Sequence, residues 1–379
     1  MRTTGGVRGL GLSALMLAAA LTACGQDQES AGAFAPYPGH VGPGGGWAPE
    51  NVGVKRLVPV GDCVIGLGTR NDGYRTVGAN WLGTPDCTRL DLFPAAGATG
   101  GDEAQARGGS GNGIGDVPAV AGPGEAVTGA ADTFVRLGPD GQVTRLAELT
   151  GVEKPKAVAL VRATRNLVAF GGYPGNPVAW LSADEGATAR LVRLPRSGVQ
   201  PEGSGGPYRA GAAGDRIVAT GFTALPEGEV WASDDGGETW RFDRTPALPR
   251  DTNLYGALPT PDGWLLYGAA HDGRAPNVPV VVTGTPGNWT VADTGPMGAG
   301  GIIAATVDHA GRPVLLGRVY QPYEPGKNTE YCSVVWSRTP TGWQREQLGC
   351  GDQPASVVTT LRDGRVLVAS ARDLWIRPA

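Results

Sequence analysis

The chain has 379 residues and a formal charge of −4. Its 63 glycines and 31 prolines make up about a quarter of the sequence, yet 41% of residues are hydrophobic and ten are tryptophan. No basic stripe marks a nucleic-acid footprint, and His40, His271 and His309 stand too far apart for metal-ligand spacing, so no nucleic acid, metal or other cofactor is expected. Glycine and proline fall between short apolar runs, which favours an all-β chain of many turns over a helical one.

In chain order, residues 1–24 read MRTTGGVRGLGLSALMLAAALTAC. Arg2 and Arg8 make a short basic region, and residues 10–21 an apolar stretch too short to cross a membrane as a mature helix. The run ends in Leu21-Thr22-Ala23-Cys24, which resembles a bacterial lipobox. That resemblance implies a signal peptide over 1–23 and a diacylglycerol on the Cys24 thiol. Acyl chains hold a protein at a bilayer by about 0.8 kcal/mol per buried CH₂. A lipid anchor at the extracytoplasmic face of the cell membrane is therefore expected. Residues 24–46, rich in Gly, Ala, Pro and polar side chains, read as a flexible tether, and residues 47–379 as the folded domain.

Four cysteines remain after Cys24, an even number that suits disulfides in an exported chain. Cys332 and Cys350 lie symmetrically about the turn-like run Thr339-Pro340-Thr341-Gly342, which puts them opposite each other on a hairpin. Cys63 and Cys87 pair by default.

A turn followed by an apolar strand recurs along the chain: GDCVIGLG (61–68), GEAVTGA (124–130), RNLVAFGG (165–172), GDRIVATG (214–221), DGWLLYG (262–268), GRPVLLG (311–317) and DGRVLVAS (363–370). A strand–turn–strand unit follows the middle copies, as in VWASDDGGETWRFDR (230–244), VVVTGTPGNWTVAD (280–293) and VVWSRTPTGWQREQ (334–347), with Trp240, Trp289 and Trp343 in matching places. A period near 50 residues with about four short strands, A to D, predicts a β-propeller of about seven blades, because one such sheet buries its faces only against its neighbours in a ring. Six or eight blades stay open, since residues 95–116 read as a Gly-rich loop inside a long first gap. The last period holds three strands. Residues 47–53 are expected to supply its fourth and close the ring.

Ser233-Asp234-Asp235-Gly236-Gly237-Glu238-Thr239-Trp240 matches the pattern S-x-D-x-G-x-T-W, and Ser182, Asp184, Gly186 and Thr188 repeat it with Ala189 in place of the tryptophan. The pattern resembles the Asp-box of sialidase-like (BNR) propellers. The resemblance implies that each box sits on a C–D turn, opposite the family's catalytic pocket, with the Asp capping backbone N–H groups and the Trp packed between strands. The acidic cluster Asp234, Asp235 and Glu238 is then structural.

The early F/Y-R-I-P motif of family sialidases is missing from the first blade, and no G-x-S-x-G elbow, P-loop or H-E-x-x-H occurs. No catalytic residue is assigned. Arg162, Tyr208, Arg209 and Tyr255 fall on or near inner strands. The B–C connections are the longer, more decorated loops, and loops on a rigid scaffold commonly carry function. Tyr74, Arg75, Tyr173, Tyr208, Arg209, Arg274, Tyr320 and Tyr323 are the candidate binding residues, suited to a protein or polysaccharide ligand. The expectation is a monomeric, membrane-anchored, non-catalytic propeller. The alternative is a diverged sialidase-like hydrolase or lyase.

Overall fold

The computed structural model describes residues 32–43, 52–71, 76–93, 119–122, 124–130, 132–140, 142–173, 176–196, 206–221, 227–271, 277–320 and 331–379. Cys24, Tyr74, Arg75, Arg274, Tyr323 and the 95–116 loop lie outside these residues.

The fold is a seven-bladed β-propeller, each blade a four-stranded antiparallel sheet. Blade 1 is β2 (Gly53–Val60), β3 (Cys63–Asn71), β4 (Thr76–Gly83) and β5 (Leu90–Phe93). Blade 2 is β6 (Ala119–Ala121), β7 (Ala126–Ala130), β8 (Thr133–Leu137) and β9 (Val143–Glu148). Blade 3 is β10 (Ala157–Arg162), β11 (Leu167–Tyr173), β12 (Asn176–Ser182) and β13 (Arg190–Arg193). Blade 4 is β14 (Pro207–Ala213), β15 (Arg216–Gly221), β16 (Glu227–Ser233) and β17 (Arg241–Ala247). Blade 5 is β18 (Thr252–Thr260), β19 (Gly263–Ala270), β20 (Val278–Thr285) and β21 (Asn288–Val291). Blade 6 is β22 (Gly301–Val307), β23 (Pro313–Tyr320), β24 (Tyr331–Thr339) and β25 (Gly342–Gly351). Blade 7 is β26 (Val357–Thr360), β27 (Val366–Ala369), β28 (Leu374–Arg377) and β1 (Ala35–Tyr37).

The first strand of each blade lies innermost, and β2, β6, β10, β14, β18, β22 and β26 touch in a closed circle. The core is divided among the gaps between blades. Seven apolar clusters form, one at each blade–blade interface: Leu67 with Leu137 between blades 1 and 2, for example, and Ile302 with Leu265 between 5 and 6. Fully buried tryptophans at the centres of C strands lock these gaps. The indole N–H of Trp81, Trp180, Trp231 and Trp336 donates to the carbonyl of Gly42, Thr150, Pro195 and Met297 respectively. Each acceptor lies on the chain entering that blade from the one before.

Ring closure departs from the expectation. Ala35–Tyr37, inside the stretch read as tether, pairs with Leu374–Ile376 as the outer strand of blade 7. Gly53 begins blade 1 and residues 47–51 lie outside the described residues; the fourth place, expected from residues 47–53, is taken by Ala35–Tyr37. The reason is burial before it: Phe34 is packed into the blade 6–7 core, its N–H donates to Glu346 Oε1, and the Arg377 guanidinium covers its ring. Residues 40–42 continue the seam into blade 1, with Leu90 N–H donating to His40 O and Gly42 N–H to Leu90 O. Both disulfides form as expected. Cys63–Cys87 fastens the B strand of blade 1 to its C–D turn, and Cys332–Cys350 joins directly opposed residues of a hairpin.

Candidate ligand-binding mouth

Antiparallel order puts A–B and C–D turns at one end of the ring and B–C and D–A connections at the other. The turns end is closed by short-range polar contacts. In the 233–240 turn, Asp235 accepts from Thr239 N–H at 3.0 Å and Thr239 Oγ1–H at 2.6 Å, while Ser233 Oγ accepts from Gly237 N–H at 2.9 Å. The 182–188 turn repeats the pattern: Thr188 N–H and Oγ1–H donate to Asp184 at 2.8 and 2.7 Å, and Gly186 N–H to Ser182 Oγ at 2.7 Å. Burial raises the Asp235 pKa, but the Thr239 and Ser233 bonds overcome it and hold the carboxyl at about 2. A third such turn went unnoticed in the sequence: Asp86 accepts from Thr84 and Thr88, which lower its pKa to about 2. Trp240 packs edge-on against Phe170 of blade 3 at 5.4 Å. Asp234 pairs with Arg241, and Glu238 with Arg190 of blade 3. The acidic cluster is thus spent within and between blades.

Arg162 belongs to this end as well. It closes β10, donates to Ala121 O and pairs with Glu185 at 2.5 Å, so it lies away from the loop-bearing mouth suggested by its inner-strand position.

The mouth at the other end has a repeated backbone device. The register between A and B strands shifts near the start of β2, β10, β14, β18 and β22, where Lys55, Val158, Tyr208, Tyr255 and Ile303 are the extra residues. A bulge of this kind re-aims a side chain. It also presses the A-strand carbonyl onto the B strand, where glycine is required: a Cβ on Gly268 would lie 1.9 Å from Asn253 O, and one on Gly171 2.2 Å from Lys156 O.

Three blades bring tyrosines and arginines together at this end. Tyr208 and Tyr320 are each 43% exposed. The Arg209 guanidinium lies 4.1 Å over the Tyr208 ring, and Tyr320 and Tyr331 sit with centroids 4.8 Å apart. Tyr255 OH shares a 3.4 Å hydrogen bond with His271 Nε2, and His271 Nδ1 one of 3.0 Å with Asn277 Oδ1. Asn277 accepting from Nδ1–H would leave Nε2 to accept from the phenol. Burial raises the Tyr255 pKa, Tyr208 and Tyr320 add to the rise, and Asn253 and Arg209 oppose it. Tyr267, raised by burial, feels both Arg209 and, from blade 1, Arg56. Burial pulls the Arg318 guanidinium below its usual range, against the phenols of Tyr320, Tyr331 and Tyr255. The described inner strands carry no Asp or Glu.

Of the residues named from sequence, Tyr208, Arg209 and Tyr320 meet here, with Tyr255. Tyr173 ends β11 on the same side of blade 3. Sequence reasoning missed Arg56, Tyr267, Arg318 and Tyr331. Arg318 had a signal, a lone cation following the buried run Val314–Gly317.

No family model matches the chain, and no curated protein does. Solved structures do. A polysaccharide lyase of family PL25, an ulvan lyase bound to a GlcA–Rha3S saccharide, is 12% identical over 90% of this chain and 95% of its own, with TM-score 0.56. A fungal alcohol oxidase of family AA5, in complex with copper, is 9% identical over 92% and 76%, also at 0.56. A GH74 xyloglucanase from Xanthomonas campestris is 14% identical over 91% of this chain and 53% of its own, at 0.53. The likeness is one of fold. Propellers of this shape serve enzymes of several kinds, and these identities carry no residue across.

Proposed function

We propose that this chain is a lipid-anchored propeller that binds a cell-envelope glycan or protein through the mouth formed by its B–C and D–A connections, without acting on it. One observation carries the reading. The exposed large apolar side chains among the described residues, Tyr208, Val278 and Tyr320, all lie at this end, on three successive blades. Exposed aromatic rings beside guanidinium groups are the make-up of a recognition surface. The repeated Ser–Asp–Thr turns, in blade register, support kinship with Asp-box propellers and leave the opposite end to structure. Cys24 and its lipobox-like run support the anchor.

A sialidase-like hydrolase or a lyase is the second reading. Glycoside hydrolysis commonly needs two carboxyl groups about 5–10 Å apart, and the described inner strands offer none. The Tyr255–His271–Asn277 chain favours proton abstraction, the lyase form of this alternative. Metabolic labelling with palmitate tests the anchor: the full chain should take up label and Cys24→Ser should not. Turnover of envelope polysaccharide by the purified full chain, lost in His271→Asn, would replace the binding reading with the lyase one.

A further inference from the structure

Several partly buried arginines in this chain meet carboxylates. Arg136 meets Glu125 at 2.7 Å, Arg312 meets Asp308 at 2.9 Å, and Arg365 meets Asp363 at 2.7 Å. Arg377, deep between blades 6 and 7, feels Asp308 and Glu346. Arg318 differs. Its Nε donates to Ala355 O at 3.2 Å, and the groups acting on its charge are the phenols of Tyr255, Tyr320 and Tyr331. None of these is a carboxylate. Among the described residues no carboxylate pairs with this partly buried cation, and a cation drawn from water without a counter-ion is costly, so its place at the mouth suits an anion supplied from outside.

Its surroundings narrow the anion's carrier. Phenol hydroxyls donate to a carboxylate or sulfate oxygen, and Arg209, over Tyr208, adds a second positive charge. The half-exposed rings of Tyr208 and Tyr320 are flat apolar faces against which a pyranose ring can lie. We propose that Arg318 receives the carboxylate or sulfate of an acidic polysaccharide, with sugar rings of the same chain resting on Tyr208 and Tyr320. This rests on the mouth being the binding end. It adds the ligand's charge, and it fixes glycan rather than protein.

The full chain is titrated at low salt with polygalacturonate, dextran sulfate, neutral dextran and polyglutamate, and melting is followed for each variant. Binding of polygalacturonate or of dextran sulfate, weakened at least tenfold in Arg318→Gln, supports the proposal; which polymer binds tells carboxylate from sulfate. Arg318→Gln should melt at or above the wild-type temperature, because it relieves an uncompensated charge; a purely structural arginine would lower it. Tyr208→Ala, at an exposed side chain, should weaken binding severalfold without changing the melt, and reads the proposal even if Arg318→Gln folds poorly. Dextran binding as tightly as the acidic polymers overturns the inference. So does polyglutamate binding as tightly as they do, which would leave the mouth in place with an acidic protein as its ligand. Failure of both acidic polysaccharides to bind, or undiminished binding in both variants, also overturns it, and capture of a ligand elsewhere on the ring would defeat the mouth reading as well.

Discussion

Replacing Trp231 by Phe tests what holds the blades together. Trp231 is fully buried at the centre of β16, packs edge-on against Phe242 at 5.4 Å, and its indole N–H reaches Pro195 O at 2.9 Å. Phenylalanine keeps an aromatic ring but strands that carbonyl, a cost of about 1–3 kcal/mol. It also leaves part of the indole volume empty, for about 1–2 kcal/mol more in a packed interior. The expected loss is about 2–5 kcal/mol, read as a lower urea midpoint at unchanged slope. Trp343→Phe is the control. Trp343 is half-buried at the edge of the blade 5–6 cluster, with Arg338 stacked over it and the ring contact largely kept by phenylalanine, so its loss should stay at about 1 kcal/mol. Equal losses at the two positions would refute the claim that C-strand indoles are the clasps.

Three further outcomes follow from the same contacts. The Asp235 carboxyl, at about 2 against an ordinary 3.8, contributes stability that is complete above pH 3.8 and lost as pH falls through about 2; acid unfolding of Asp235→Asn should be flatter across that window. Deleting residues up to Tyr37 removes the strand paired with Leu374–Ile376, so amide exchange at β28 should quicken markedly while blades 3 and 4 stay protected. Gly268→Ala forces a Cβ onto the Asn253 carbonyl and should destabilise blade 5 by several kcal/mol in urea melts, whereas Gly287→Ala on the C–D turn meets no atom and pays only the strain of its positive φ, about 1 kcal/mol.

The blades were legible because each repeats a turn and an apolar strand, and the two disulfides because one pair is symmetric about a turn and the other remains. The closing strand was not. Ala35-Pro36-Tyr37 is three residues long, shows no alternation, and sits amid glycine and proline; only Phe34, Glu346 and Arg377, distant in sequence, fix it. The mouth was legible in part. Tyr208, Arg209, Tyr255 and Tyr320 stand near strand ends that the period locates, but which side chains turn inward depends on bulges, and a bulge is a property of two strands in register. Arg318 and Tyr267 come from B strands whose central residues are committed to the core, so their contribution appears only once neighbouring blades are in place. Arg162 shows the converse: its inner-strand position suggested the channel, and its end of the strand sends it to Glu185.

Amide hydrogen exchange of the full chain with and without bound polygalacturonate or dextran sulfate tests the central claim most directly. The account predicts added protection at Pro207–Arg209, Thr252–Tyr255 and Arg318–Tyr320, all at the loop-bearing end. Protection confined to the 182–188 and 233–240 turns would place the ligand at the opposite end and contradict it.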